Sequence, residues 1–495
     1  MLDEYIREYV EFNEASNREY YLYLSGQKPN LELAPIYERY GDLFTRDAID
    51  RLKKELDEVP EHFETDRRAL KRLLMFAVEQ LLEDSAKQLT EEISRYEARA
   101  TVEWMGRAMT FQESVIAIIT EADRDIRRGI YKRRLDIIDA SNDLRAERLS
   151  LLHMAARSLG HASYLALFEE LNGIDYRKAV HEAESFLTRT ESIYVTRLDE
   201  YLAREMKIDL DEADRSDALR LLHLNTYDGR FPADHLLRVY GETMAGLGIP
   251  VGAQENIEID SAPRPRKSAR AFCTPISVPN EIKLVIRPIG GQSDYQAFFH
   301  ESGHAQHYGG ASESLQPEFK YKGDYALTET YAFLFNHLVT DSLWLDRMLG
   351  FRESRDFIRS AMLARLVTVR RYMARLSFEC ELHGGDDFER ASKLYGELQT
   401  GATMFKISDR EFLYDLDDSF YSAGYVRAWA FEIMLREHMK TRFGEQWWQS
   451  RRAGSFLREL WETGDRYDAD EMAAQVGLGP MTFDLLIEEF DRALR

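Results

Sequence analysis

Long stretches with few prolines carry apolar residues at three- and four-residue spacing, and this pattern commits most of the chain to amphipathic helix. Only 12 of the 495 residues are proline, below the usual share of about 5%. Within residues 62–158, LLMFAVEQLL, YEARATVEWM and IYKRRLDIIDASNDLRAERLSLLHMAARSL each set an apolar stripe against a charged face. Several long helices packed as a bundle are predicted there. Gly160 and His161 interrupt the pattern, and Ser163 can cap the next helix. Further helices are predicted over 175–205, 214–225 and 233–247, the last closed by Gly246 and Gly248.

The texture changes near residue 249, where prolines punctuate the short alternating runs IEID, ARAFCTPISV and IKLVIRP. That alternation predicts a small sheet, the only one the sequence announces. Gly290 and Gly291 then lead into a helix for which Ser293 is the expected N-cap. No internal repeat or low-complexity linker is evident. The expected fold class is mainly α with one small sheet, as a helical part over 1–248 and a catalytic part over 249–495 that form a single catalytic unit.

Composition narrows the function classes. With 44% hydrophobic residues, the chain can bury a large core. The formal charge of −22, from 65 basic and 87 acidic residues, opposes binding to nucleic acid or anionic membranes, and no basic stripe with interleaved aromatics appears. Apolar runs are short, the one at Leu334 to Val339 being broken by Asn336 and His337, so no membrane span is expected. MLDEYIREYVEF lacks the basic and apolar regions of a secretory signal, and Cys273 and Cys380 cannot frame a disulfide-rich protein. A cytoplasmic protein is expected. Nothing in the pattern speaks to oligomeric state.

Chemistry concentrates in DYQAFFHESGHAQHY. Four residues apart on a helix, His300 and His304 share a face and can converge on one ion, while Glu301 can reach a metal-bound water and take its proton. The distance to the third ligand separates classes of metallohydrolase. HExxHxxGxxH is excluded, because His307 stands at its Gly position and Gly310 at its final His. Glu329 is the preferred third ligand, since ALTETYAFLFNHLVTDSLWL is otherwise strongly apolar and a carboxylate there needs a partner. Asp324 is the alternative. One Zn2+ per chain suits two His, one Glu and an open position, with carboxylate partners expected behind the histidines.

HESGHAQHY followed by Glu329, 25 residues after His304, resembles the thimet oligopeptidase and oligoendopeptidase F family. His307 matches that family's additional histidine. RKSARAFCTPISVPNEIKLVI is similar to its Lys-x-x-x-Ala-Phe-Cys strand, and looser likenesses occur in LGHASYLALFEEL, TYDGRFPADHLLRVY and FGEQWWQSRRAGSFLRELWETG. The resemblance runs over about residues 130–495 and leaves the first 120 aside. It implies a mostly helical, two-lobed zinc peptidase whose deep groove admits short peptides. Endopeptidase and carboxypeptidase modes both stay open, because angiotensin-converting enzyme and thermostable carboxypeptidases share the architecture. It further implies that Arg270, Ala271 and Phe272 line the substrate strand.

One departure stands out. The family carries Gly-Tyr-x-x-x-Tyr-x-x-Tyr on a late helix, and its last Tyr stabilises the oxyanion. In FYSAGYVRAWAFEIML, Tyr421 and Tyr425 match the first two tyrosines, but Ala428 stands at the third; Leu416 also replaces a family histidine. Tyr421 and Tyr425 lie on one helical face with position 428, so either is a candidate oxyanion donor, Tyr421 being preferred. Arg427, like Arg270, is a candidate partner for a peptide carboxylate. The loss at Ala428 also opens a second reading, a protein that retains zinc and binds peptides without hydrolysing them efficiently.

Overall fold

A computed structural model describes residues 2–385 and 387–495, and most of them are helical. The helices that matter below are α1 (Leu2–Leu24), α2 (Glu64–Arg99), α3 (Gln292–Gly310), α4 (Tyr325–Leu338), α5 (Arg355–Gly384), α6 (Tyr421–Phe443) and α7 (Ala469–Gln475). The strands are β1 (Thr101–Trp104), β2 (Arg107–Thr110), β3 (Ile257–Asp260), β4 (Phe272–Ser277) and β5 (Glu281–Val285). No described helix is long and apolar enough to cross a membrane.

The chain forms two compact units, each gathered from three stretches: Met1–Val78, Thr226–Ile358 and Arg427–Leu485 in the first, Glu79–Asn225, Arg359–Val426 and Leu486–Arg495 in the second. The change at residue 249 precedes the three-stranded sheet and is not a unit boundary. The reason is packing, since β4 lies against α1 from the far N-terminal end as well as against α3.

In the first unit the sheet order is β3-β5-β4, with β3 parallel and β4 antiparallel to β5. β4 is therefore an edge strand. Tyr21 of α1 packs with Ile276 and Val285, and Leu22 and Phe272 close over them. Helix α3 starts at Gln292, directly after Gly291, so Ser293 lies inside the first turn and is not the N-cap. Asp228 accepts the Gln292 N–H at 3.2 Å, and Asp294 accepts those of Ile289 and Gly290 at 2.6 and 2.8 Å. These carboxylates suit a helix N-terminus, where donors are unpaired and the dipole is positive.

The second unit contains a hairpin that helical periodicity concealed. YEARATVEWM leaves α2 at Arg99 and becomes β1, which pairs antiparallel with β2 across a two-residue turn at Met105 and Gly106. Both turn residues have positive φ (51° and 78°), the type I′ pattern that matches strand twist. Val102 and Met109 bury with Ile118 and Ile130, and the Trp104 ring fills the space beside Gly129 that any Cβ would occupy. Elsewhere the helical expectations hold, including Ser163, whose side chain accepts the Ala166 N–H at the start of Tyr164–Asn172.

Candidate metal centre

Helices α3 and α4 touch backbone to backbone. A Cβ on Gly303 would lie 2.4 Å from the Tyr331 carbonyl oxygen and 2.5 Å from the Ala332 Cα, so only glycine permits this approach. The close crossing lets a short carboxylate side chain on α4 reach two imidazoles on α3. The Glu329 carboxylate stands 3.3 Å from His300 Nε2 and 3.6 Å from His304 Nε2. One ligand atom from each of the three residues lies within 4.8 Å of the others, and this is the one such group among the described residues. Donors held 2.0–2.1 Å from a shared centre at tetrahedral angles lie about 3.3 Å apart, so the trio fits a zinc ion. Glu329 is 1% exposed, in keeping with a carboxylate whose burial requires a partner.

Glu301 lies beside the trio. Its Oε2 accepts the Cys273 N–H of β4 at 2.9 Å, so the edge strand orients the carboxylate. Burial pushes its pKa up to about 7; Glu329 adds to the rise, while His300 and the Cys273 amide restrain it. A carboxyl poised there can accept and return a proton near neutral pH. Burial pushes His304 down to about 4, which leaves the imidazole neutral.

Behind His304 stands a hydroxyl where a carboxylate was expected. Nδ1 lies 2.8 Å from Thr328 Oγ1. With Nε2 turned to the trio, Nδ1–H donates to Thr328. Thr328 therefore fixes the tautomer of one histidine from the residue before Glu329. His307 does not join the trio. It is buried, with its ring 5.3 Å from that of Tyr308 and 5.0 Å from that of Tyr331.

Asp324 is not part of the metal group either. It caps α4 by accepting the Ala326 N–H at 3.0 Å, accepts the Ala469 N–H at the start of α7 at 3.0 Å, and pairs with Arg427 at 2.8 Å. Arg427 also reaches Asp470 at 2.6 Å. The guanidinium assigned from sequence to a peptide carboxylate is thus taken by two carboxylates of its own chain, because α6 carries it against the N-termini of α4 and α7. Arg270 is exposed and has no ion-pair partner among the described residues, while Ala271 and Phe272 are half-buried at the start of β4. Neighbouring Lys267 is buried against the Asp260 carboxylate at 2.9 Å and the carbonyls of Asp260 and Ala262.

Tyr421 and Tyr425 fall in the second unit, on the first turns of α6, with ring centroids 5.1 Å apart; Tyr372 of α5 lies 5.0 Å from Tyr425. A left-handed turn at Ser419 and Phe420 (φ 60° and 56°) sets where that helix begins. The Phe420 ring stacks on Tyr176 at 4.5 Å, and the Ser419 N–H donates to the Tyr164 hydroxyl.

No family model matches the sequence, and no curated protein does. Solved structures match over nearly the whole chain. A structure assigned to oligoendopeptidase F aligns with TM-score 0.69 at 14% identity, covering 98% of this chain and 90% of the other. The fold is that of the oligoendopeptidase F structures. A second one, from Bacillus anthracis str. Ames, aligns at TM-score 0.67 and 13% identity over 98% and 89% of the two chains. PZ peptidase A, solved with an inhibitor, gives 0.66 and 15% over 98% and 90%.

Proposed function

We propose that this chain is a zinc-dependent peptidase of short peptides, with the ion held by His300, His304 and Glu329 and with Glu301 as general base. The observation that carries the reading is the convergence of two imidazoles and a buried carboxylate at tetrahedral spacing beside a second, unligated carboxyl. The oligoendopeptidase F fold and the names of its solved members support peptide bonds as the substrate. Two free cysteines suit a reducing cytoplasm.

Bound there, zinc would supply Lewis acidity toward the scissile carbonyl and make a coordinated water more acidic. Glu301 takes the proton from the attacking water and delivers it to the leaving amine, while the Cys273 amide keeps its carboxylate in place. Thr328 holds His304 in the tautomer that offers Nε2. Because residue 428 is alanine, we assign the oxyanion donor to Tyr421 or Tyr425, Tyr421 being preferred. Removing the phenol that serves lowers kcat by about 3 kcal/mol, roughly a hundredfold.

The side chain of Ala428 is a buried methyl group that offers no donor, which favours one alternative, a peptide-binding protein that keeps zinc with little turnover. Metal analysis of the purified protein tests both. About one zinc per chain, lost in His300→Ala, is expected; no stoichiometric zinc in the wild type would sink both readings.

A further inference from the structure

The free edge of β4 is short. Pairing with β5 occupies one side of the strand. On the other, the backbone groups of alternate residues point outward. Cys273 presents its N–H to Glu301. Two residues on, Pro275 has no N–H, and its carbonyl accepts Asn17 Nδ2 of α1 at 2.8 Å. Next along, Ser277 Oγ donates to Glu14 Oε1 of α1 at 2.6 Å. Arg18 pairs with Glu281 at 2.7 Å, and Tyr21 packs on Ile276 and Val285. Helix α1 is thus fastened to this side of the sheet by four side chains within about two turns, and one of them fills the position where a neighbouring strand would place its next N–H.

We propose that α1 acts as a stop on this edge, limiting useful peptide contact to two residues on the N-terminal side of the scissile bond, the first of them level with Cys273, with Asn17 as the specificity-determining residue. The proposal rests on the peptidase reading, because it takes β4 as the strand on which a peptide adds by main-chain pairing. The scissile carbonyl lies level with Cys273, whose amide holds the general base. Antiparallel pairing, the more stable arrangement, runs the N-terminal half of the peptide toward Pro275. The third residue on that side then finds no N–H on Pro275 and must compete with Asn17 for the proline carbonyl. Toward Ala271 and Arg270 no hydrogen bond or ion pair from an α1 side chain occurs among the described residues, and the limit applies to one side only.

A peptide series with a fixed cleavable centre tests this, lengthened one residue at a time on the N-terminal side from one residue to five. Cleavage by the zinc-loaded wild type gives kcat/KM, and binding to zinc-loaded Glu301→Gln gives Kd. Both are expected to improve up to two residues and then to stay within twofold. In Asn17→Ala, the third residue is expected to improve both at least threefold. A fivefold or larger gain from the third or fourth residue in the wild type would overturn the stop, as would an Asn17→Ala series identical to wild type. Binding that levels off at two residues without any turnover would keep the stop and reject hydrolysis. Neither binding nor turnover would reject both.

Discussion

Replacing Gly303 by Ala tests whether the backbone contact between α3 and α4 builds the metal site. The added methyl lands 2.4 Å from the Tyr331 carbonyl oxygen and 2.5 Å from the Ala332 Cα, against ordinary separations of about 3.5 Å. Both obstacles are helix backbone, so the helices must part by roughly 1 Å. Overpacking of this kind costs about 1–3 kcal/mol, and the better helix propensity of Ala returns about 1 kcal/mol. The expected net loss of stability is therefore only about 0–2 kcal/mol. The larger effect falls on the ligands. Glu329 moves with α4, so its separations of 3.3 and 3.6 Å from the imidazoles widen, and zinc affinity is expected to fall at least tenfold, about 1.4 kcal/mol. Chelator competition on the folded variant gives the zinc Kd, and thermal melts of the metal-free protein separate global stability from ligand geometry. Zinc affinity within twofold of wild type would refute the idea that this contact sets the spacing.

Three further outcomes are expected from the same geometry. Thr328→Val leaves the buried Nδ1–H of His304 without its acceptor, so zinc affinity is expected to drop about 10–100-fold, with Thr328→Ser restoring most of it in the same competition assay. Arg427→Ala leaves Asp324 and Asp470 without their shared cation and is expected to cost about 3–5 kcal/mol in denaturant unfolding, reflecting Asp324 burial, while the wild type cleaves amidated and free peptides equally; strong preference for free C-termini would return Arg427 or Arg270 to carboxylate recognition. Although burial alone would raise the Asp324 pKa, Arg427 and the Ala469 and Ala326 amides bring it below the ordinary 3.8. Its contribution to stability is thus present above that value and lost as pH falls through the lower folded pKa, an acid limb in Tm that Asp324→Asn should flatten.

The grouping of His300, His304 and Glu329 was legible because it is a local pattern plus one anomaly. Two histidines a helical turn apart need no tertiary information, and Glu329 stood out as a charge in an apolar helix. The mainly α fold and the sheet after residue 249 were legible from period and punctuation. The hairpin at 101–110 was not, because apolar residues in TVEWMGRAMT satisfy a helical stripe as well as an alternating one over so short a span, and Gly106 was the only local sign of the turn. Arg427 is a candidate substrate residue, and Asp324 the alternative third ligand, in a sequence that shows charges without showing which neutralise each other. The role of Thr328 depends on how α3 and α4 cross, and that in turn depends on Gly303, whose part in the crossing the motif alone does not show. Asn17 lies in the stretch without family likeness, and only the packed sheet reveals what its amide covers.

The most direct measurement is digestion of a mixed peptide library by zinc-loaded wild type and zinc-loaded Glu301→Gln, read by mass spectrometry. A zinc peptidase with Glu301 as its base gives defined cleavage products in the wild type and at least a thousandfold slower cleavage in Glu301→Gln, with zinc content unchanged. Equal rates in the two proteins, or no cleavage by either, would contradict it.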